Sequence, residues 1–209
     1  DDGFDLSHPD FGDKTRIVNP IDYVDGDRNP MPSWGDARTR GRADRHGTAC
    51  AGVAVAQVNG EGCVGVAPGC RFMPVRIPLA LSDVKLDEVI RYVAGKADVI
   101  SCSFSVPPVD ARQWTKLGET IEQAATTGGR RGKGCVICFA AGNDRAPVNA
   151  PNHPGIDWFD EDGLPRTSTG DIVNAIAAHP RVIAVAASSS MNEHSIYSNY
   201  GPEISVSAP

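Results

Sequence analysis

The stretch ADVISCSF at residues 97–104 decides the architecture. It is a short apolar run ending in small polar residues, which reads as a strand. The helical pattern SDVKLDEVIRYVAGK (82–96) precedes it, with Leu86, Val89, Ile90 and Val93 at helical spacing and Ser82 or Asp83 as cap. A second helix follows over 110–128, carrying Trp114, Leu117, Ile121 and Ala125 on one face and stopped by Gly128 and Gly129. Further strands are predicted at 70–77, 134–143, 181–189 and 203–209. A β-α-β-α-β order implies an α/β fold, with a mainly parallel sheet and helices on both faces. Residues 19–45 and 144–180, rich in Pro, Gly and acids, read as surface loops. There is no internal repeat and no interdomain linker.

A chain of 209 residues with 41% hydrophobic content can build one sizeable core, which argues against disorder. The net charge of −6 disfavours non-specific nucleic-acid binding and tolerates bound cations. Every apolar run is too short to span a membrane. The six cysteines are irregularly spaced, and Cys135 and Cys138 fall on opposite faces of a strand, so free thiols are expected. No histidine pair has zinc-ligand spacing.

In open parallel sheets, sites collect at the carboxyl ends of strands. Three segments qualify: Asp1-Asp2-Gly3, Ser103-Phe104-Ser105, and Ala141-Gly142-Asn143. His46 stands before a run of small residues suited to a closely packed helix, with Asp44 as candidate cap. Gly47 would let another backbone approach it. Asn143 is either a turn residue or a neutral donor aimed at negative charge developing on a carbonyl oxygen.

Taken together, D-D-G, H-G-T at a helix start and A-A-G-N at a strand end resemble the subtilisin-like serine peptidases (subtilases). The likeness continues through SHPD (7–10), GVAP (65–68), ADVISCSFS (97–105) and the segment 182–209. It implies a three-layer subtilisin-like fold and a serine endopeptidase with an Asp-His-Ser triad. Asp1 would orient His46, His46 would act as general base and acid, and Asn143 would be the oxyanion-hole donor. The backbone of Ser103, Phe104 and Ser105 would pair with substrate and wall the P1 pocket. Asp2 is left as a turn residue. The family's strand before the aspartate and its G-T-S-M-A serine segment have no counterpart in the sequence, so residues 1–209 are expected to be part of a peptidase domain, incomplete at both ends.

The same resemblance implies structural calcium, held by Asp10, the Asn59 side chain and the carbonyls of Gln57, Glu61 and Cys63. Asp22, Asp27 and Asn29 form a weaker second candidate. Parts of the sequence lean towards kexin-like convertases, but Pro107 and Pro108 stand where acids would recognise basic residues, so dibasic specificity is not expected. The acids Asp157, Asp160, Glu161 and Asp162 are read first as a solvated loop, with binding an ion or lining a substrate subsite as the alternatives. A peptide or protein substrate, a monomeric peptidase domain and a secreted or cell-envelope location are implied by the family. Two alternatives on the same scaffold are a non-catalytic peptide-binding module and a transpeptidase or macrocyclase.

Overall fold

The computed structural model describes residues 1–35, 43–78, 81–106, 109–110, 114–159 and 164–209. They form two compact units, Asp1–Leu79 and Ala80–Pro209.

The first unit holds strands β1 (Ile21–Asp22) and β2 (Val75–Arg76), paired in parallel, and helix α1 (His46–Val55). Asp1 lies along the other edge of β2: its backbone nitrogen donates to Val75 O at 3.1 Å, and Ile77 N–H donates to Asp1 O at 2.8 Å. Phe4, Phe11 and Ala51 form the core, with Phe72 packed edge-on against Phe4 and stacked on Phe11. The small residues of α1 serve this packing, because its inward Gly47, Ala51 and Gly52 let neighbouring backbone come close.

In the second unit the sheet order is β3 (Val99–Cys102), β5 (Val136–Ala140), β8 (Val182–Ala187) and β9 (Ile204–Ala208), all parallel. Helix α2 (Asp83–Ala94) leads into β3, and α3 (Thr115–Thr127) lies on the connection from β3 to β5. The Ser82 hydroxyl caps α2 by accepting from Lys85 N–H at 3.3 Å, and Gly128 ends α3 in extended backbone. The predicted apolar stripes are buried: Leu86, Val89, Ile90 and Val93 on α2, and Leu117 and Ile121 on α3. Ile100, Ile137, Phe139 and Ala184 are buried on the sheet, whereas Val99, Val136, Ile183 and Val206 point to an exposed face. The two helices are also joined by buried Asp87, which meets Arg91 at 3.0 Å and Thr120 across the pair.

The stretch 144–180 is not a loop. It folds as a long antiparallel hairpin, β6 (Asn149–Phe159) and β7 (Pro165–Val173), with β4 (Val109–Asp110) against the outer side of β7. Pro151 and Pro154 are tolerated because β6 is an edge strand, where a missing N–H breaks no ladder. The ladder shifts register twice around them. Ala146, Ile156 and Ile172 give the hairpin a small core. Asp157 accepts a 2.7 Å hydrogen bond from the Thr167 hydroxyl. Pro107, Pro108, Asp160, Glu161 and Asp162 lie outside the described residues.

Candidate active site

The carboxylate of Asp1 and the ring of His46 meet at 2.8 Å, Oδ1 to Nδ1. The Asp1 carboxylate is nearly buried, while the imidazole it holds by Nδ1 is 57% exposed. Cys50, one turn along α1, places its sulfur 3.8 Å from both ring nitrogens.

Asp2 is more than a turn residue. Its Oδ1 accepts from Gly47 N–H at 2.7 Å, and its Oδ2 from the amides of His46 and Arg45 at 3.2 Å. This carboxylate from a distant segment satisfies the orphan donors that open α1, and its charge complements the helix dipole. Adjacent residues thus fix the helix and the ring it carries. Gly47 is required here, since a Cβ would collide with Gly3 O and Asp1 Cβ.

Asp44 does not cap α1, contrary to the expectation from its position. Its Oδ2 accepts from Ser33 N–H at 2.9 Å and from Arg76 Nη2 at 3.2 Å. Arg76 is the hub of this unit: Nη1 reaches Asp22 and Asp25 at 2.9 Å, and Nε donates to Asp2 O at 3.0 Å. Asp22 is therefore committed to an arginine, and its other oxygen takes the amides of Val24 and Asp25. The Asp27 carboxylate accepts from Asn29 N–H at 2.8 Å. In the second calcium candidate, Asp22 is thus engaged by Arg76 and the Asp27 carboxylate by the Asn29 amide.

The first candidate is assembled differently. Asp10 is buried, with Oδ2 accepting from the amide and thiol of Cys63 at 3.3 Å. Its Oδ1 is buried and has no hydrogen-bond partner among the described residues. Gly62, at φ 59°, packs against this carboxylate where a Cβ would collide with it. Gln57 and Asn59 both donate to Pro9 O, at 2.8 and 3.0 Å, and Glu61 N–H donates to Asn59 Oδ1 at 2.9 Å. Burial pushes the Asp10 carboxyl up, but the amide and thiol of Cys63 and the charge of the nearby His8 outweigh it and hold the carboxyl below the usual range. The bond to Asp10 pushes the Cys63 thiol up.

In the second unit, Ser103, Phe104 and Ser105 leave the carboxyl end of β3, and 141–143 leave that of β5. These strands are neighbours, with Cys102 opposite Phe139. The Phe104 ring packs edge-on against buried Phe139 at 5.3 Å, which anchors the segment and leaves Ser105 exposed. Asn143 is also exposed and follows Gly142 at φ 107°. Every cysteine is free, and burial pushes the Cys102 thiol up to about 12.

Sequence reasoning missed Asp2, Arg76 and Asn199, whose buried amide binds the 141–146 turn. Only the doubled acid of D-D-G offered a local signal for any of them.

The family model "Subtilase family" matches residues 1–209, and the chain belongs to that family. A calcium-dependent protease of Trichormus variabilis (strain ATCC 29413 / PCC 7937) is 35% identical over 223 residues, covering 100% of this chain and 28% of that protein. Among solved structures, the Aeromonas sobria serine protease in complex with the chaperone ORF2 superposes with a TM-score of 0.68 at 24% identity, over 100% of this chain and 34% of the other. A cold-adapted subtilisin-like serine proteinase gives 0.66 at 22%, over 100% and 60%. These structural likenesses establish the fold. The chain spans less than two thirds of the length of each of these proteins.

Proposed function

We propose that this chain carries the Asp–His pair and the oxyanion asparagine of a serine endopeptidase that hydrolyses peptide bonds. The observation that carries this reading is the 2.8 Å contact between Asp1 Oδ1 and His46 Nδ1. With the carboxylate accepting the Nδ1 proton, Nε2 carries the free lone pair. Nε2 then takes the proton of a serine hydroxyl supplied by the full-length protein as that oxygen attacks the peptide carbonyl. It returns the proton to the leaving amine when the carbon–nitrogen bond breaks and the acyl-enzyme forms. A water repeats the sequence and regenerates the serine. Asp1 stays ionised and stabilises the imidazolium. The Asn143 side-chain amide donates to the oxyanion, and Ser103, Phe104 and Ser105 present backbone to the substrate.

Asn143→Ala in the full-length protein is expected to lower kcat by roughly 10²–10³-fold with little change in KM. Steady-state kinetics on a peptide substrate measure it, and an effect confined to KM removes Asn143 from the oxyanion hole.

Calcium fits the Asp10 loop. An ionised, buried carboxylate with one unpartnered oxygen and a glycine packed against it suits a hard cation that prefers oxygen ligands. Asp10, Asn59 and the carbonyls of Gln57, Glu61 and Cys63 would hold the ion, which would brace the 57–63 loop against the turn at Pro9. The name of the Trichormus relative supports the same reading. Calcium at a hundredfold excess over its Kd is expected to add about 2.7 kcal/mol of stability. Thermal unfolding with chelator and with added calcium checks this. A midpoint indifferent to both, with Asp10→Asn equally silent, excludes the site.

A further inference from the structure

We infer that Asn199 is the positioning residue of the oxyanion loop. The inference rests on the reading of Asn143 given above and concerns how that side chain is held in place.

Asn143 has a glycine at φ 107° before it and is exposed, so its own neighbours do little to fix it. The order of the turn comes from across the chain. The Asn199 side chain is 4% exposed on the whole-residue scale and uses both ends of its amide on this one turn. Its Oδ1 accepts from Asp144 N–H at 2.9 Å and Ala146 N–H at 3.1 Å. Its Nδ2 donates to Ala141 O at 2.9 Å and to Asp144 Oδ2 at 3.1 Å. The Asn199 backbone N–H adds a bond to Gly142 O at 2.9 Å. Residues on both sides of Asn143 are therefore clamped by one buried group, and Asn143 is left free to face outward.

The fit is tight enough to fix the residue before it as well. A Cβ on Gly142 would collide with Asn199 Nδ2, so only glycine fits at 142 beside this amide. Asn199 is itself held: Ser198 is buried, and its hydroxyl accepts from Ala187 N–H at 2.9 Å and donates to Asn199 O at 3.0 Å. Asn174 supplies a second donor to Ala141 O at 3.3 Å. An amide is the side chain this place requires, because it alone offers two acceptor and two donor positions in one plane. An oxyanion donor acts only when held where the charge develops, and a displacement near 1 Å can cost about 10²-fold in rate.

The experiment is a double-mutant cycle on the full-length protein with Asn143→Ala, Asn199→Ala and both together. Asn199→Ala is expected to lower kcat by about 10²-fold with KM within about threefold. On the Asn143→Ala background it should lower kcat no further, because the donor it positions has gone. Additive losses would make Asn199 a general structural residue and overturn the inference. An Asn143→Ala variant of undiminished kcat would instead overturn the oxyanion reading itself, which keeps the two failures apart. Should Asn199→Ala fail to fold, Asn199→Asp keeps the two acceptor bonds but sets a carboxylate against Asp144. Its loss of kcat should be partly restored by adding Asp144→Asn, which returns a donor to that contact. No restoration, at unchanged thermal midpoint, would also count against the inference.

Discussion

Replacing His46 with alanine in the full-length protein is expected to lower kcat about a millionfold, and Asp1→Asn about ten-thousandfold, with KM little changed in either. The difference follows from what each group does. Without the imidazole no base receives the serine proton, and the remaining catalysis comes from binding and the oxyanion donor alone. Without the carboxylate charge the ring survives, but its Nδ1 faces an amide that can donate as well as accept. The wrong tautomer is then populated, and the imidazolium loses its counter-charge. Because Asp2, not Asp1, carries the amides of Arg45, His46 and Gly47, the helix should stay in place in Asp1→Asn. Its thermal midpoint should therefore change little. Stopped assays at high enzyme concentration resolve these residual rates. Losses below about a hundredfold in His46→Ala would show that another group is the base.

Arg76→Met is expected to destabilise the protein by about 3–5 kcal/mol, the usual penalty for breaking a buried ion pair from one side. The Asp22 side chain is 0% exposed and that of Asp44 is 9% exposed, so removing the guanidinium strands both carboxylates away from water. Losing the bond to Asp2 O should also loosen the D-D-G turn, so kcat falls together with stability. Urea unfolding measures the first effect. Adding Asp22→Asn and Asp44→Asn should recover part of it, because neutral amides tolerate burial better than unpaired charges. A change below about 1 kcal/mol would mean that water reaches these acids once the arginine is gone.

The parts of this molecule that were legible in its sequence are those governed by local periodicity. Leu86, Val89, Ile90 and Val93 repeat at helical spacing, and Ser82 offers a cap, so α2 could be read directly. The hairpin of β6 and β7 was hidden for physical reasons. An edge strand admits the prolines that usually mark loops, and most positions of β7 face water and carry no alternation. Asp1, His46 and Asn143 could be put forward from the sequence because each sits in a short local motif. Their supports were not. Asp2 finds its amides 43 to 45 residues away, and Asn199 finds two amides and a carbonyl 53 to 58 away, through backbone atoms that leave no trace in residue type. Asp44 was misassigned because the capping rule is local, while the claim of Arg76 on that carboxylate comes from 32 residues along the chain.

These separations also have a kinetic meaning. The Asp1–His46 contact spans 45 residues, the Arg76 bond to Asp2 spans 74, and the Asn199 bond to Ala141 spans 58. Contacts between distant parts of a chain form only after the loop-closure entropy has been overcome, so they belong to the late, cooperative stage of folding. The helices α2 and α3 rest on local bonds, whereas the Asp1–His46 contact and the bonds of Asn199 to the 141–146 turn wait for distant segments to meet. The candidate site is therefore expected to take shape only as the fold itself is completed.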